Sequence, residues 1–166
     1  DALKKRGPDA QGIWEDDRVI LGHTRLSIID TSAQSNQPLQ DVTGRYHITY
    51  NGEIYNYREL RQELKEKGYT FRTASDTEVL LAGYIVWGRE VLERLNGFFA
   101  FAIYDQLEQI LFIARDRLGI KPLVYSFDDD GVIFGSELKA IQPFLSKPTI
   151  NRQALNLYFQ LTYIPA

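Results

Sequence analysis

The chain has 166 residues, 44% of them hydrophobic and 13% aromatic, enough for one packed domain with at most a stub of a second. A net charge of −3 with no basic stripe argues against a nucleic-acid partner, and no apolar run suits a membrane span or a signal peptide, which makes the cytosol the default compartment. The absence of cysteine excludes disulfides, thiolate metal sites and a cysteine nucleophile in the chain as written, and a chain that starts at Asp1 and lacks methionine reads as a fragment or a processed product. In chain order, Lys4 to Asp9 is polar and ends in turn chemistry, and Gly12–Trp14 and Arg18–Leu21 read as short strands joined by a turn at Glu15-Asp16-Asp17. Gly22 to Asp30 continues as strand or extended loop, and the Ser/Asn/Gln-rich stretch Thr31 to Gln37 ends at Pro38 as a loop. Tyr46–Tyr50 reads as a strand that stops at Asn51-Gly52, the strongest short turn signal, because both residues tolerate positive φ.

A helix follows over Tyr57 to Lys67, with Asn56 as its cap, Glu59 reaching back to the cap, Leu60 and Leu64 on one face and Gly68 as its stop. Ser75-Asp76-Thr77-Glu78 is a capping box that starts a second helix, whose apolar face carries Val79, Leu80, Gly83, Tyr84 and Trp87 before Gly88 stops it. Phe98 to Tyr104 shows no polar alternation and reads as a strand buried on both faces, paired with Ile110–Ala114 across Gln106–Gln109. Leu123–Phe127 and Val132–Phe134 form another hairpin across Asp128-Asp129-Asp130-Gly131. Ser136 caps a short helix, Glu137 to Ile141, and Asn151 caps a last one at about Arg152 to Phe159. Many antiparallel strands with helices to cover them predict a layered α+β domain with two sheets packed face to face.

Several polar groups carry possible chemistry. Arg25, on an otherwise apolar segment, could clamp a carboxylate bidentately, although a structural ion pair explains it as well. Asn51 and Gly52 can offer a side-chain and a backbone donor to a developing oxyanion; the plain reading is a turn. Glu53 and Asp76 are carboxylates at loop-to-helix junctions, and either could hold an ammonium; the helix macrodipole alone would favour an acid at Asp76. Together they make a receptor for a free amino acid, with a cation for its carboxylate, anions for its amine and an oxyanion hole for a side-chain carbonyl. Ala114 to Pro122, with its alternating charges, reads as a buried ion-pair corner, with a phosphate or partner contact as the alternative, and His23 and His47 as structural residues with no metal-ligand partner at useful spacing.

The stretches Arg6-Gly7-Pro8-Asp9, Gly22 to Asp30, Tyr50 to Tyr57, Ser75 to Glu78, Asn96 to Ala100, Ala114 to Pro122 and Gly135 to Lys139 run in one order along nearly the whole chain. In that order they resemble the class II glutamine amidotransferase domain of the glutamine-hydrolysing asparagine synthetase family. The resemblance implies an N-terminal-nucleophile hydrolase fold, a four-layer αββα sandwich whose N-terminal strand is missing here. It implies glutamine hydrolysis to glutamate, with ammonia passed to a synthetase domain that activates aspartate with ATP. It places the substrate carboxylate on Arg25, pocket-lining backbone at Leu26, Ser27, Ile28 and Ile29, the oxyanion hole at Asn51 and Gly52, and the substrate's amino end at Glu53 and Asp76. No metal or other cofactor is expected in this domain, while ATP and Mg are expected in the synthetase domain. The expected partners are L-glutamine and that C-terminal domain, with a homodimer left open. The expected division is 1–150 for the amidotransferase domain and 151–166 for the start of the linker to the synthetase domain. Members begin Met-Cys-Gly-Ile, with the cysteine as nucleophile and its α-amine as base, so this chain is expected to be inactive alone. A glutamine-binding or docking module without a nucleophile, the phosphoribosylpyrophosphate amidotransferases and other amide-forming enzymes are the alternatives.

Overall fold

In the computed structural model, which describes residues 2–26, 29–129, 131–145 and 149–165, the first strands form an antiparallel hairpin. β1 (Ala10–Glu15) alternates half-buried and exposed side chains, as a strand with one wet face does, and pairs with β2 (Ile20–Arg25) from Ala10↔Arg25 to Glu15↔Ile20. Asp16 fixes the turn between them, its Oδ1 accepting from the backbone N–H groups of Arg18 and Val19 at 2.8 Å each. β3 (Leu39–Gln40) is only two residues long and pairs with the next strand at Ile48 and His47.

That next strand corrects the turn expectation. β4 (Tyr46–Ile54) runs nine residues, straight through Asn51-Gly52, and neither residue has a positive φ. It pairs along its whole length with β5 (Gly97–Asp105), so a nine-residue ladder to a buried strand outweighs a local turn preference. Gly52 is required for another reason: a Cβ there would lie 2.3 Å from the Phe98 carbonyl oxygen and 2.7 Å from the Tyr50 ring. β6 (Ile110–Arg115) completes a four-stranded sheet in the order β3-β4-β5-β6.

α1 (Tyr57–Glu66) buries Leu60 and Leu64 as predicted, and Gly68 follows it at φ +91°. Asn56 does not cap it. Its Nδ2 donates to the Arg94 carbonyl and its Oδ1 accepts from the Asn96 amide, tying the helix start to the chain that enters β5. α2 (Asp76–Trp87) starts at Ser75, whose Oγ accepts from the Glu78 amide at 3.2 Å, and Gly88 follows at φ +59°. The box is only half made. The Glu78 carboxylate, 1% exposed, accepts instead from the amides of Arg72 and Thr73 and from the Thr73 hydroxyl. Nor does α2 bury one face only: every residue from Asp76 to Gly83 is buried. The one-turn α3 (Val91–Arg94) leads into β5.

β7 (Val124–Asp128) and β8 (Gly131–Gly135) form the second predicted hairpin; Asp130, in its turn, lies outside the described residues. α4 (Leu138–Ile141) has no side-chain cap, contrary to the reading of Ser136, and the preceding Glu137 carboxylate meets Arg6 and Lys139 instead. α5 (Arg152–Leu161) is capped as predicted, Asn151 Oδ1 accepting from the Ala154 amide at 3.1 Å.

The layers follow from these contacts. α2 packs on β4, β2 packs on the other face of β4, and α4 packs on β7 and β8. The arrangement is an αββα sandwich in which the second β layer is two separate hairpins rather than one continuous sheet. The core lies between α1, α2 and the four-stranded sheet, around Ile48, Ile54, Leu64, Leu80 and Ile103. Among the described residues, no helix is long and apolar enough to cross a membrane.

Candidate functional site

A cavity of about 690 Å³ opens beside β4. That is the size range of small-molecule sites, roughly 300–1,000 Å³. Arg25, Leu26, Ile29, Asn51, Gly52, Glu53 and Asp76 all line it. Ser27 and Ile28, the other two residues predicted for the pocket, lie outside the described residues.

The β4 wall holds Asn51, Gly52 and Glu53 in consecutive ladder positions opposite Ala100, Phe99 and Phe98. A side-chain amide and a carboxylate are thereby mounted on a paired strand and not on a loose turn, which suits a preorganised donor site. The Glu53 carboxylate makes no hydrogen bond or ion pair with a described residue.

Asp76 is the first residue of α2 and is 6% exposed. Its Oδ2 accepts from the Tyr50 hydroxyl at 2.8 Å and from the Ile54 amide at 3.1 Å. Burial pushes its carboxyl above the ordinary value, outweighing the Tyr50 and Ile54 hydrogen bonds that oppose the shift. An ammonium arriving in the cavity would offset the cost of keeping this anion ionised. The Tyr50 hydroxyl, buried beside Asp76, is itself pushed up by burial and by the neighbouring carboxylate.

Arg25, at the end of β2, is 8% exposed. Its Nη1 donates to the Ser32 carbonyl and to Asn36 Oδ1, both at 2.8 Å, and its Nη2 donates to the Asp30 carbonyl. The guanidinium therefore gathers the loop after β2 around itself, and it makes no ion pair with a described carboxylate. A buried cation held only by neutral acceptors favours an anionic ligand. The loop is also fastened on the far side, where Asp30 Oδ2 accepts from the Ala74 amide at 2.9 Å, just before α2. The same loop thus touches the cationic and the anionic side of the cavity.

The loop from Arg115 to Lys121 corrects the ion-pair expectation. Asp116 accepts from the amides of Ile120, Lys121 and Phe99 at 2.9, 3.0 and 3.3 Å, and Arg115 donates to the carbonyls of Lys121 and Gly119. Asp116 and Arg115 thus bind backbone groups and not each other, while Arg117 pairs outside the loop with Glu93 at 3.2 Å. His23 donates to or accepts from Thr49 Oγ1 at 3.2 Å beside the cavity, and burial, then the Arg25 charge, lowers its pKa to about 4, so it is neutral at pH 7. His47 stacks on Trp14 with ring centroids 3.7 Å apart. The described residues include no cluster of three metal-ligating side chains.

Reasoning from sequence missed three residues around the site. Gln37, read as the end of a polar loop, is buried and bonded to the Tyr50 amide; Tyr50 is the hydrogen-bond partner of Asp76; Thr77 faces Gln37. The signal for Gln37 was its place just before Pro38, ahead of a strand too short to cover β4.

The model of the glutamine amidotransferase domain family matches residues 1–166. The chain is 44% identical over 165 residues to the glutamine-hydrolysing asparagine synthetase 3 of Bacillus subtilis, covering 97% of this chain and 26% of that protein. It is 45% identical over 142 residues to the glutamine-hydrolysing asparagine synthetase B of Escherichia coli, covering 85% of this chain and 25% of that protein. Among solved structures, glutamine phosphoribosylpyrophosphate amidotransferase from Bacillus subtilis, complexed with ADP and GMP, superposes with a TM-score of 0.63 at 28% identity, over 74% of this chain and 28% of that one. The chain thus spans about a quarter of the length of the relatives it matches.

Proposed function

This chain belongs to the glutamine amidotransferase domain family, and we propose that its cavity takes L-glutamine as the substrate half of a glutamine-dependent asparagine synthetase. One observation carries the reading: a buried guanidinium, an amide–glycine pair and two carboxylates line a single cavity roomy enough for an amino acid. Arg25 takes the α-carboxylate, with Leu26 and Ile29 beside it. Glu53 and Asp76 take the α-ammonium. The Asn51 side-chain amide and the Gly52 N–H meet the amide carbonyl, where negative charge grows as a nucleophile attacks. That charge is the part of the reaction these residues can stabilise; the chain contains no cysteine to attack. The nucleophile belongs to a Met-Cys-Gly-Ile segment of the kind the family begins with. The ammonia released passes to an ATP- and Mg-dependent domain that amidates aspartate. Residues 1–150 form the glutaminase domain and 151–166 begin the connection, a division supported by the exposed Tyr158, Phe159 and Leu161 on α5.

The test adds an N-terminal Met-Cys-Gly-Ile strand and assays glutamate release. Release is expected, and Asn51→Ala in that enzyme is expected to slow it about 10²–10³-fold. No glutamate from the extended protein defeats the reading. An Asn51→Ala rate equal to the parent's removes Asn51 from the oxyanion hole. The buried Arg25, which makes no ion pair with a described carboxylate, also fits a second role for the chain as it stands, glutamine binding without turnover. Calorimetry on the unmodified chain separates this from an empty scaffold, since Arg25→Ala should abolish the binding heat.

A further inference from the structure

We propose that Gln37 is a positioning residue that sets the length of the amino-acid site and so its preference for glutamine over a shorter side chain; the proposal rests on the glutamine reading above. The β3–β4 register pairs Leu39 with Ile48 and Gln40 with His47. Continued back along the chain, it puts Gln37 opposite Tyr50. The strand does not continue, since β3 begins only at Leu39. The Gln37 side chain takes over the lost ladder bond: its Oε1 accepts from the Tyr50 amide at 2.6 Å. Its Nε2 donates to Thr77 Oγ1 at 3.4 Å, in the first turn of α2. Both ends of this bridge are buried.

Tyr50 is therefore held twice from the start of α2. Its backbone is tied through Gln37 to Thr77, and its hydroxyl is tied to Asp76. The residues that follow Tyr50 on β4 are the oxyanion pair, Asn51 and Gly52, and the residue before Thr77 is the ammonium-binding Asp76. One planar amide thus spaces the two groups that grip opposite ends of the ligand. Gly12 keeps the bridge seated, since a Cβ there would lie 2.2 Å from the Gln37 carbonyl oxygen. Gripping both ends is what makes a site sensitive to one methylene, a discrimination worth about 10–200-fold.

The experiment is calorimetric titration of the chain with L-glutamine and, separately, L-asparagine. The parent is expected to prefer glutamine by at least about tenfold. Gln37→Leu, which keeps the shape and removes both bonds, is expected to lower glutamine affinity about tenfold and to leave asparagine affinity nearly unchanged, collapsing the ratio. Thr77→Val keeps the Tyr50 bond and cuts only the link to α2; it is expected to move the ratio the same way, and to decide the matter if Gln37→Leu does not fold. A general loosening of the fold would weaken both ligands together. A parent that prefers glutamine, with folded variants that keep its ratio, overturns the role of Gln37 alone. A parent that binds neither amino acid overturns the glutamine reading and this proposal with it.

Discussion

Asp76 and Asp116 are buried almost equally, 6% and 7% exposed, yet their environments move them in opposite directions. Burial raises both. At Asp116 the amides of Lys121, Ile120 and Phe99 and the Arg115 charge outweigh it, and the carboxyl sits below its ordinary value. At Asp76 the hydroxyl of Tyr50 and the amide of Ile54 do not, and the carboxyl sits above. The difference lies in desolvation: Asp76, at the start of α2 against the core, is the more deeply desolvated, and burial there outweighs the hydrogen bonds from Tyr50, Ile54 and its own helix start. Asp116 is saturated and fixes a loop. Asp76 keeps its charge at a desolvation cost and faces a cavity, where a cationic ligand would stabilise it.

The contrast breaks most visibly at Asp116. Asp116→Ala leaves the amides of Ile120, Lys121 and Phe99 without their acceptor, the last of them buried, and hydrogen bonds to a charged group are worth about 1.5–3 kcal/mol each without being additive. Denaturant unfolding should show a loss on the order of 3 kcal/mol. At the other site Asp76→Asn removes the charge and keeps an acceptor for Tyr50. Glutamine affinity by calorimetry should fall about 10- to 100-fold, with an unfolding midpoint no lower than the parent's. Gly52→Ala drives a methyl into the Phe98 carbonyl and the Tyr50 ring beside Asp76, and should cost about 1–3 kcal/mol in the same unfolding assay. Ser75→Ala, which removes the cap just ahead of Asp76, should cost only about 1 kcal/mol.

Acid titration sharpens the comparison through its sign. A lowered folded pKa means that Asp116 stabilises the fold above the unfolded value of 3.8, and this is lost as pH falls through the lower folded value. A raised folded pKa means the reverse for Asp76: it costs stability at neutral pH, and the cost disappears as pH falls through its raised value. An ammonium ligand needs the ionised form, so glutamine affinity should weaken as pH drops through the Asp76 value. Stability curves of Asp76→Asn and the parent should converge at acid pH, and a gap that widens there would contradict the assignment.

Much of this arrangement was legible from the residues. The uninterrupted apolar run of β5, the caps at Ser75 and Asn151 and the terminators Gly68 and Gly88 appear where local chemistry puts them. Every described residue named for the site lines the cavity. What could not be read locally was decided by partners distant in sequence. Asn51-Gly52 is a turn signal in isolation and a strand once β5 lies beside it. Asn56 is a good cap until the carbonyl of Arg94 and the amide of Asn96 compete for its side chain. Glu78 completes a box until the amides of Arg72 and Thr73 need an acceptor more. Gln37 gains its role only because β3 starts two residues after it, leaving the Tyr50 amide to its side chain.

The unbroken enclosure of α2 from Asp76 to Gly83 also bears on motion. Amides in its central turns have no surface route to solvent, so their hydrogen exchange should require opening of the whole domain. Deuterium uptake at Leu80 and Leu81 would then report global stability.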